Sequence, residues 1–282
     1  MSHFKENIYE EVKKALHEDV GSGDVTAMLI AENAHSEARV ITREAATLAG
    51  VDWFNEVFHQ LDESISIQWF ANDGDAVQAD QTLCKLSGPS RTILTGERTA
   101  LNFLQTLSGT ATCVAAYVAA VAHTSVKLLD TRKTIPGMRQ AQKYAVQCGG
   151  GYNHRIGLFD AFLVKENHIM AAGGMAAAVA RAREINPNLL LEVEVESMAE
   201  LEQAINASVD RVLLDNFNLA MLKDAAAFSA GRVELEASGN VSLETLADIA
   251  ETGVDYISIG SLTKHIQAID LSMRFSGSDF SE

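Results

Sequence analysis

Leu189-Leu190-Leu191-Glu192-Val193-Glu194-Val195-Glu196 opens the stretch that decides the fold of this 282-residue chain. Three more apolar runs follow it: Arg211-Val212-Leu213-Leu214-Asp215, Val233-Glu234-Leu235-Glu236-Ala237-Ser238 and Tyr256-Ile257-Ser258-Ile259-Gly260. The four runs begin 22, 22 and 23 residues apart. Helical patterns fill the intervals, at 198–205, 219–228 and 243–252. Strand and helix alternating at this spacing make βαβ units, and βαβ units make a parallel sheet. Runs at 126–130 and 162–165, with a helical pattern at 175–185, carry the rhythm upstream. Six strands are counted this way. Right-handed crossovers either close such a sheet into a barrel or leave it open. No glycine fingerprint for a dinucleotide follows the first strand, which favours a barrel over a Rossmann sheet.

The N-terminal third has another rhythm and reads as α+β. Phe4, Ile8, Val12 and Leu16 repeat every fourth residue, one apolar stripe of a helix that stops before Gly21-Ser22-Gly23-Asp24. Residues 36–50 and 64–70 read as strands, and Asp73-Gly74-Asp75 as a turn. From Thr92 a long helix runs past Gly109-Thr110, where a break or a close contact is expected. Residues 268–273 suit a final strand that returns to this first region.

The chain carries 22 Lys and Arg against 38 Asp and Glu, a net charge of −16. So acidic a surface excludes a nucleic-acid binder and a polybasic membrane anchor, both of which need clustered positive charge. No apolar run reaches the ~18–20 residues of a membrane span, and the N-terminus lacks the apolar core of a secretory signal. Cys84, Cys113 and Cys148 are too few and too scattered for a disulfide framework or a cysteine zinc site. A reducing cytoplasmic setting is expected. Against this background, residues 130–168 hold six cations (Arg132, Lys133, Arg139, Lys143, Arg155, Lys165) and three anions (Asp130, Asp160, Glu166). That window is therefore +3 and the remainder −19. Local field acts on a small ligand more than net charge does, so this island is a candidate anion site.

Polar residues gather where each run of the C-terminal half ends. They are Asp130-Thr131-Arg132-Lys133, Lys165-Glu166-Asn167-His168, Glu192 to Glu196, Asp215-Asn216, Ser238-Gly239-Asn240 and Gly260-Ser261. The carboxyl ends of parallel barrel strands share one face, where active sites sit. Glu192, Glu194 and Glu196 alternate onto one side of their strand. Three inward acids repel unless cations or a metal balance them. With Asp215 one strand later, a Mg²⁺–phosphate or a cationic sugar is a fitting partner, and pairing of Glu192 or Glu196 with the basic island is the alternative. Gly149-Gly150-Gly151-Tyr152-Asn153-His154-Arg155 is a glycine turn that delivers a His and an Arg. Arg forks read planar carboxylates, so Arg132, Arg155 and Lys165, with Lys133, suit a small dianion. Ser238-Gly239-Asn240 and Gly260-Ser261 place small residues before helices, a phosphate-binding arrangement of bare N–H groups.

At this point the chain resembles the quinolinate phosphoribosyltransferase family, the carboxylating nicotinate-nucleotide pyrophosphorylases of NAD biosynthesis. The likeness rests on residues 18–26, Glu97-Arg98-Thr99-Ala100-Leu101-Asn102, 130–137, 149–155, 165–168, 192–196, 213–216 and Ser238-Gly239-Asn240, in order along nearly the whole chain. Two positions depart from the family's usual pattern, Glu166 in place of Asp and Asn240 in place of a second Gly. The resemblance implies an N-terminal α/β sandwich over 1–105, an incomplete parallel α/β barrel over 106–266, and a segment over 267–282 that returns to the first domain. It implies transfer of phosphoribosyl from phosphoribosyl diphosphate to quinolinate with loss of CO2, Mg²⁺ as cofactor, and a homodimer or higher homo-oligomer with a shared site. Arg132, His154, Arg155 and Lys165 would then hold the quinolinate carboxylates, and Arg98 would reach the site from the neighbouring subunit. Lys133, Glu194 and Asp215 would lie near the phosphoribosyl diphosphate and its Mg²⁺, which is held mainly through the substrate's phosphates, Glu194 and Asp215 being candidate contacts and the direct metal ligands left open. Ser238, Gly239 and Gly260 would bind its 5′-phosphate.

Two other readings compete. A Schiff-base aldolase would use Lys165 in an apolar pocket, but leaves the glycine-borne Arg and the late glycines without a purpose. Residues 73–86 have the turn-and-strand pattern of lipoyl or biotinyl carriers, yet offer no lysine at a hairpin tip.

Overall fold

The computed structural model describes residues 2–276, with the side chains of 2–6 and 276 excepted. The chain forms two compact units: residues 1–115, 135–150 and 265–282 in the first, and 116–134 with 151–264 in the second.

The first unit is built on α1 (Ser2–Val20), β1 (His35–Thr42), β2 (Ala46–Thr47), α2 (Val51–Leu61), β3 (Ser66–Trp69), β4 (Ala76–Val77), β5 (Thr82–Pro89) and α3 (Ser90–Ala120). Its main sheet has the order β12-β1-β5-β3, where β12 is Leu271–Ser276, antiparallel to β1. The expected strand over 268–273 is thus present, shifted three residues onward; residues 277–282 lie outside the described residues. Ile8, Val12 and Leu16 are buried, as their spacing requires, and join Trp53, Phe54, Phe58, Leu83, Leu86, Leu101, Leu104 and Leu107 in one core. The side chain of Phe4 lies outside the described residues.

The helix α3 runs unbroken through Gly109. The glycine marks a close approach, since a Cβ there would meet the backbone oxygen of Gln267 at 2.1 Å. By length and apolarity α3 also meets the test for a membrane span, which the sequence reading did not expect of any segment. Its Ile93, Leu101, Leu104 and Leu107 are fully buried in the core, as in the central helix of a globular unit.

The second unit begins with β6 (Lys127–Leu129). The chain then returns to the first unit for α4 (Arg139–Cys148), where a continuous domain over 106–266 was expected. The sequence hides α4 because its buried face carries Gln142 and Lys143 beside Ala141, Ala145 and Val146. Gln142 accepts the Ile135 N–H at 2.7 Å, which fixes the entry to that helix.

The second unit continues with β7 (Ala161–Val164), α5 (Glu166–Ala172), α6 (Met175–Ile185), β8 (Leu190–Val195), α7 (Met198–Asn206), β9 (Arg211–Asp215), α8 (Leu219–Ser229), β10 (Glu234–Ser238), α9 (Leu243–Ala250), β11 (Tyr256–Ser258) and α10 (Ser261–Lys264). These strands and β6 form one parallel sheet in the order β6-β11-β10-β9-β8-β7. The six strands number as the sequence reading counted them. β6 and β7 are its two edges, so the barrel is open between them. All six carboxyl ends share one rim, because parallel strands point the same way.

Candidate active site

Strand register turns the sequence pattern into layers. Arg211 of β9 is level with Glu192 of β8 and Glu234 of β10. Glu236 is level with Leu213 and Tyr256, and Ser238 with Asp215. Since alternate residues share a face, Glu192 and Arg211 form one layer, Glu194 and Glu236, both level with Leu213, form the next, and Asp215 and Ser238 stand at the rim. Glu192 and Glu236 are fully buried. Glu196 leaves the series: β8 ends at Val195, and the Glu196 N–H is taken by the Glu200 carboxylate at 2.7 Å.

The glycine stretch runs beside β6 as a short extra pairing. Tyr152 donates to Leu128 O at 2.8 Å and accepts from Asp130 N at 3.0 Å. Asp130 is fully buried at the end of β6. Its carboxylate accepts the Asn153 side chain at 2.7 Å and the His154 N–H at 2.9 Å. The acid that the sequence showed only as a strand end is therefore the clamp of the loop carrying His154 and Arg155. The Arg155 N–H donates to Nδ1 of His154 at 2.7 Å, and Nε2 of His154 lies 2.9 Å from Glu192. Glu192, rather than Glu196, makes the pairing with the basic island.

Arg132, Arg155, Lys165 and His168 line one groove of about 610 Å³ along the open edge at β7. Nε of Arg132 is buried with no hydrogen-bond partner among the described residues. Burial, then repulsion from Arg132, push the Arg155 guanidinium below its ordinary range. Lys165 forms an ion pair with Glu194. One strand on, burial and the nearby Glu194 raise the Asp215 carboxyl, while Lys165, Asn216 and Lys133 pull it back. Arg139 and Lys143, the remaining cations of the island, belong to α4 in the first unit, and Arg98 is exposed on α3 in that unit.

Lys133 reaches across the second unit. Its carbonyl accepts the buried Thr263 hydroxyl at 2.9 Å, and its stem covers Gly260, where a Cβ would lie 2.9 Å from Lys133 Cδ. Gly239 has φ +106, and a Cβ there would meet the Asn216 side-chain oxygen at 2.3 Å. Asn216, itself at φ 56, donates to Asp215 at 2.8 Å and through its backbone to Ser238 at 3.0 Å. Gly239 and Asn240 lie in a tight turn and not at a helix start, because α9 begins at Leu243 behind its cap Ser242. Gly260 does precede a helical turn, and the Ser261 hydroxyl after it is buried without a hydrogen-bond partner among the described residues.

Two guanidiniums that repel each other over a groove need an anion to settle them. Fold and site together define an open parallel α/β barrel with a groove that Arg132, Arg155 and Lys165 line. The family model for the quinolinate phosphoribosyl transferase C-terminal domain matches residues 110–274, and that for the N-terminal domain matches 24–108. The probable carboxylating nicotinate-nucleotide pyrophosphorylase of Bacillus subtilis is 38% identical over 93% of both chains. The chloroplastic enzyme of that name from Oryza sativa is 40% identical over 93% of this chain and 76% of its own. Among solved structures, the nicotinate-nucleotide pyrophosphorylase from Francisella tularensis superposes with a TM-score of 0.94 at 50% identity, covering 96% of this chain and 97% of that one. The chain belongs to the quinolinate phosphoribosyltransferase family.

Proposed function

We propose that this protein transfers the phosphoribosyl group of phosphoribosyl diphosphate to the ring nitrogen of quinolinate, with decarboxylation, giving nicotinate mononucleotide, pyrophosphate and CO2. The crowding of Arg132 and Arg155 over the groove that Lys165 also lines is the observation that carries this reading. It suits the two adjacent carboxylates of quinolinate, which Arg forks grip bidentately. His154, expected to hold a carboxylate itself, has Nε2 against Glu192 and Nδ1 accepting the Arg155 N–H, so its part here is to secure the backbone that presents Arg155. Holding the ring in line with the ribose C1 is the main task of the cluster, and such orientation supplies roughly 7–11 kcal/mol of barrier reduction when geometry is good.

Glu194 and Asp215 face the sugar side. They stabilise positive charge that develops on the ribose as pyrophosphate departs. Their donors are all carboxylate oxygens, partly buried and mutually repelling, which fits a hard dication such as Mg²⁺. Mg²⁺, held mainly through the substrate's phosphates, would neutralise charge on the departing diphosphate. Lys133 lies over Gly260 next to this group, and the turns at Ser238-Gly239 and Gly260-Ser261 present hydroxyls and N–H groups to the 5′-phosphate. Glycosylation makes the ring nitrogen cationic. That cation stabilises the electron pair left on the ring carbon as CO2 departs, and a proton from solvent then adds to that carbon, so decarboxylation needs no further cofactor.

Arg98, exposed on the first unit, is assigned to the site of a neighbouring subunit in a homodimer or larger homo-oligomer. The acidic surface and three free cysteines support a cytoplasmic enzyme without nucleic-acid or membrane partners. The aldolase reading is disfavoured because the Lys165 amine is engaged by the Glu194 carboxylate. An assay of quinolinate with phosphoribosyl diphosphate and Mg²⁺, following CO2 and the mononucleotide, tests the proposal. Turnover of nicotinate in place of quinolinate would overturn it.

A further inference from the structure

Behind the cation cluster lies a group of side chains of which the reaction above uses only His154, as the support of Arg155. Ligand atoms of His154, Glu192 and Glu236 all fall within 4.8 Å of one another. Nε2 of His154 is 2.9 Å from Glu192 and 3.5 Å from Glu236, and Nη1 of Arg211 is 3.5 Å from Glu236. Both glutamates are fully buried, and the His154 side chain is 8% exposed. Nε2 of His154 is the donor nearest Glu192; beyond it, none of the four carboxylate oxygens has a hydrogen-bond partner of good geometry among the described residues. So many orphaned acceptors in the interior require something to satisfy them.

Three candidates can be weighed by geometry. A second proton on His154 is opposed by the Arg155 N–H, which donates to Nδ1 at 2.7 Å and so requires a lone pair there. The imidazole is therefore neutral, with its proton on Nε2. A metal ion is opposed for the same reason, because a protonated Nε2 has no lone pair to give, and by the Arg211 guanidinium beside Glu236. With His154 neutral, Glu192 and Glu236 face the guanidiniums of Arg211 and Arg155, and Arg211 is shared with Glu234 at 3.0 Å, so three carboxylates would oppose two guanidiniums, an excess of one negative charge. One proton on the carboxyl pair removes the excess and turns an orphaned oxygen into a donor.

We propose that Glu236 is kept as the neutral acid and acts as a positioning residue, joining Glu192 and Arg211 to hold His154, and through it the backbone of Arg155, in the geometry that binds the dianion. Every element packed against Glu236 fits this assignment. β8 offers Glu192, β9 offers Arg211, the loop beside β6 offers His154, and β11 offers the Ser258 hydroxyl and Tyr256. The Tyr256 hydroxyl donates to Glu234 at 3.1 Å and its ring lies 3.8 Å under the Arg211 guanidinium, so it is committed elsewhere. Burial first, then repulsion from Glu192, push the Glu236 carboxyl up to about 8. Above that pH the pair is doubly charged, and the support of His154 and Arg155 weakens.

The proposal rests on the functional reading for its kinetic test but not for its physical ones. Glu236→Gln mimics the neutral acid. Its kcat and KM for quinolinate are expected within about twofold of the unsubstituted enzyme at pH 7. The unsubstituted enzyme's KM should climb above pH 8 with kcat nearly constant, and the Gln variant should lose that climb. Loss of more than tenfold in kcat/KM at pH 7, or an unchanged alkaline limb in the variant, would overturn the assignment. Two measurements need no activity. The infrared spectrum at pH 7 should contain a buried carboxylic-acid C=O band that Glu236→Gln removes. The folded protein keeps a proton that the unfolded chain releases above about 4.5, so its thermal stability should fall from pH 5 to 8 relative to the Gln variant. A band unaffected by the substitution, parallel stability curves, or a stoichiometric metal lost on substitution would each sink it. A protein inactive on quinolinate that still shows the band and the stability shift would fail the functional reading alone.

Discussion

The backbone N–H of His154 is held by the carboxylate of Asp130 at 2.9 Å, across 24 residues of sequence. The same carboxylate takes the Asn153 side chain. One buried acid thus sets the position of a loop that presents Arg155. Asp130→Ala would leave both donors without this acceptor, at a cost of about 1–3 kcal/mol for each. Denaturant unfolding should show a lowered midpoint with an unchanged slope, and quinolinate affinity should fall with it. Full stability in the Ala variant would mean that the loop is held by other means.

Arg132 should govern quinolinate and not the sugar diphosphate. Its buried Nε has no hydrogen-bond partner among the described residues, so a ligand carboxylate gains a charged hydrogen bond there. Arg132→Ala is expected to weaken quinolinate by roughly 1.5–3 kcal/mol, about 10- to 150-fold, read by titration calorimetry. Equal affinity in the two proteins would remove Arg132 from the site.

Gly239→Ala should act on the other substrate. The added methyl meets the Asn216 oxygen at 2.3 Å, and φ +106 strains any L side chain. A penalty of about 1–3 kcal/mol is expected, divided between stability and the KM for phosphoribosyl diphosphate, with quinolinate binding retained. A variant with unchanged KM and unfolding midpoint would show that the turn accommodates a side chain.

Arg98 gives a test of assembly. If it serves a neighbouring subunit, inactive Arg98→Ala and inactive Arg132→Ala proteins should regain part of the activity once their subunits exchange, because mixed dimers contain one intact site. Absence of recovery, with exchange demonstrated by mass, would confine Arg98 to its own chain.

Much of this molecule is written openly in its sequence. The 22-residue rhythm of 189–260 yields β8 to β11, because strands buried on both faces must be apolar and their helices must cover them. Polar residues close each of those runs where the strand ends meet the rim, so Lys165, Glu194 and Asp215 stand out. Other features are hidden for physical reasons. Helix α4 buries Gln142 and Lys143 and so shows no apolar stripe. Glu236 looks like a solvent-facing residue of an alternating strand, and only its level with Tyr256 and the approach of His154 reveal its burial. Asp130 reads as one more polar strand end until its hydrogen bonds are seen. Conversely, Gly239 looks like the start of a helix, yet its glycine character comes from contact with Asn216, a pairing between successive strand ends that linear reading does not display.

The antiparallel seam between β1 and β12 joins residues 37–42 to residues 271–276. A ribosome that delivers the chain from its N-terminus therefore exposes β1 with an empty edge until residues 271–276 are translated. The six-stranded parallel unit has all its strands available before then, so it should complete first and the earlier-synthesised sheet last. Truncation before Leu271 would leave that edge permanently bare, a template for pairing with other chains, and the shortened product should appear in inclusion bodies even though most of the catalytic rim is encoded in full.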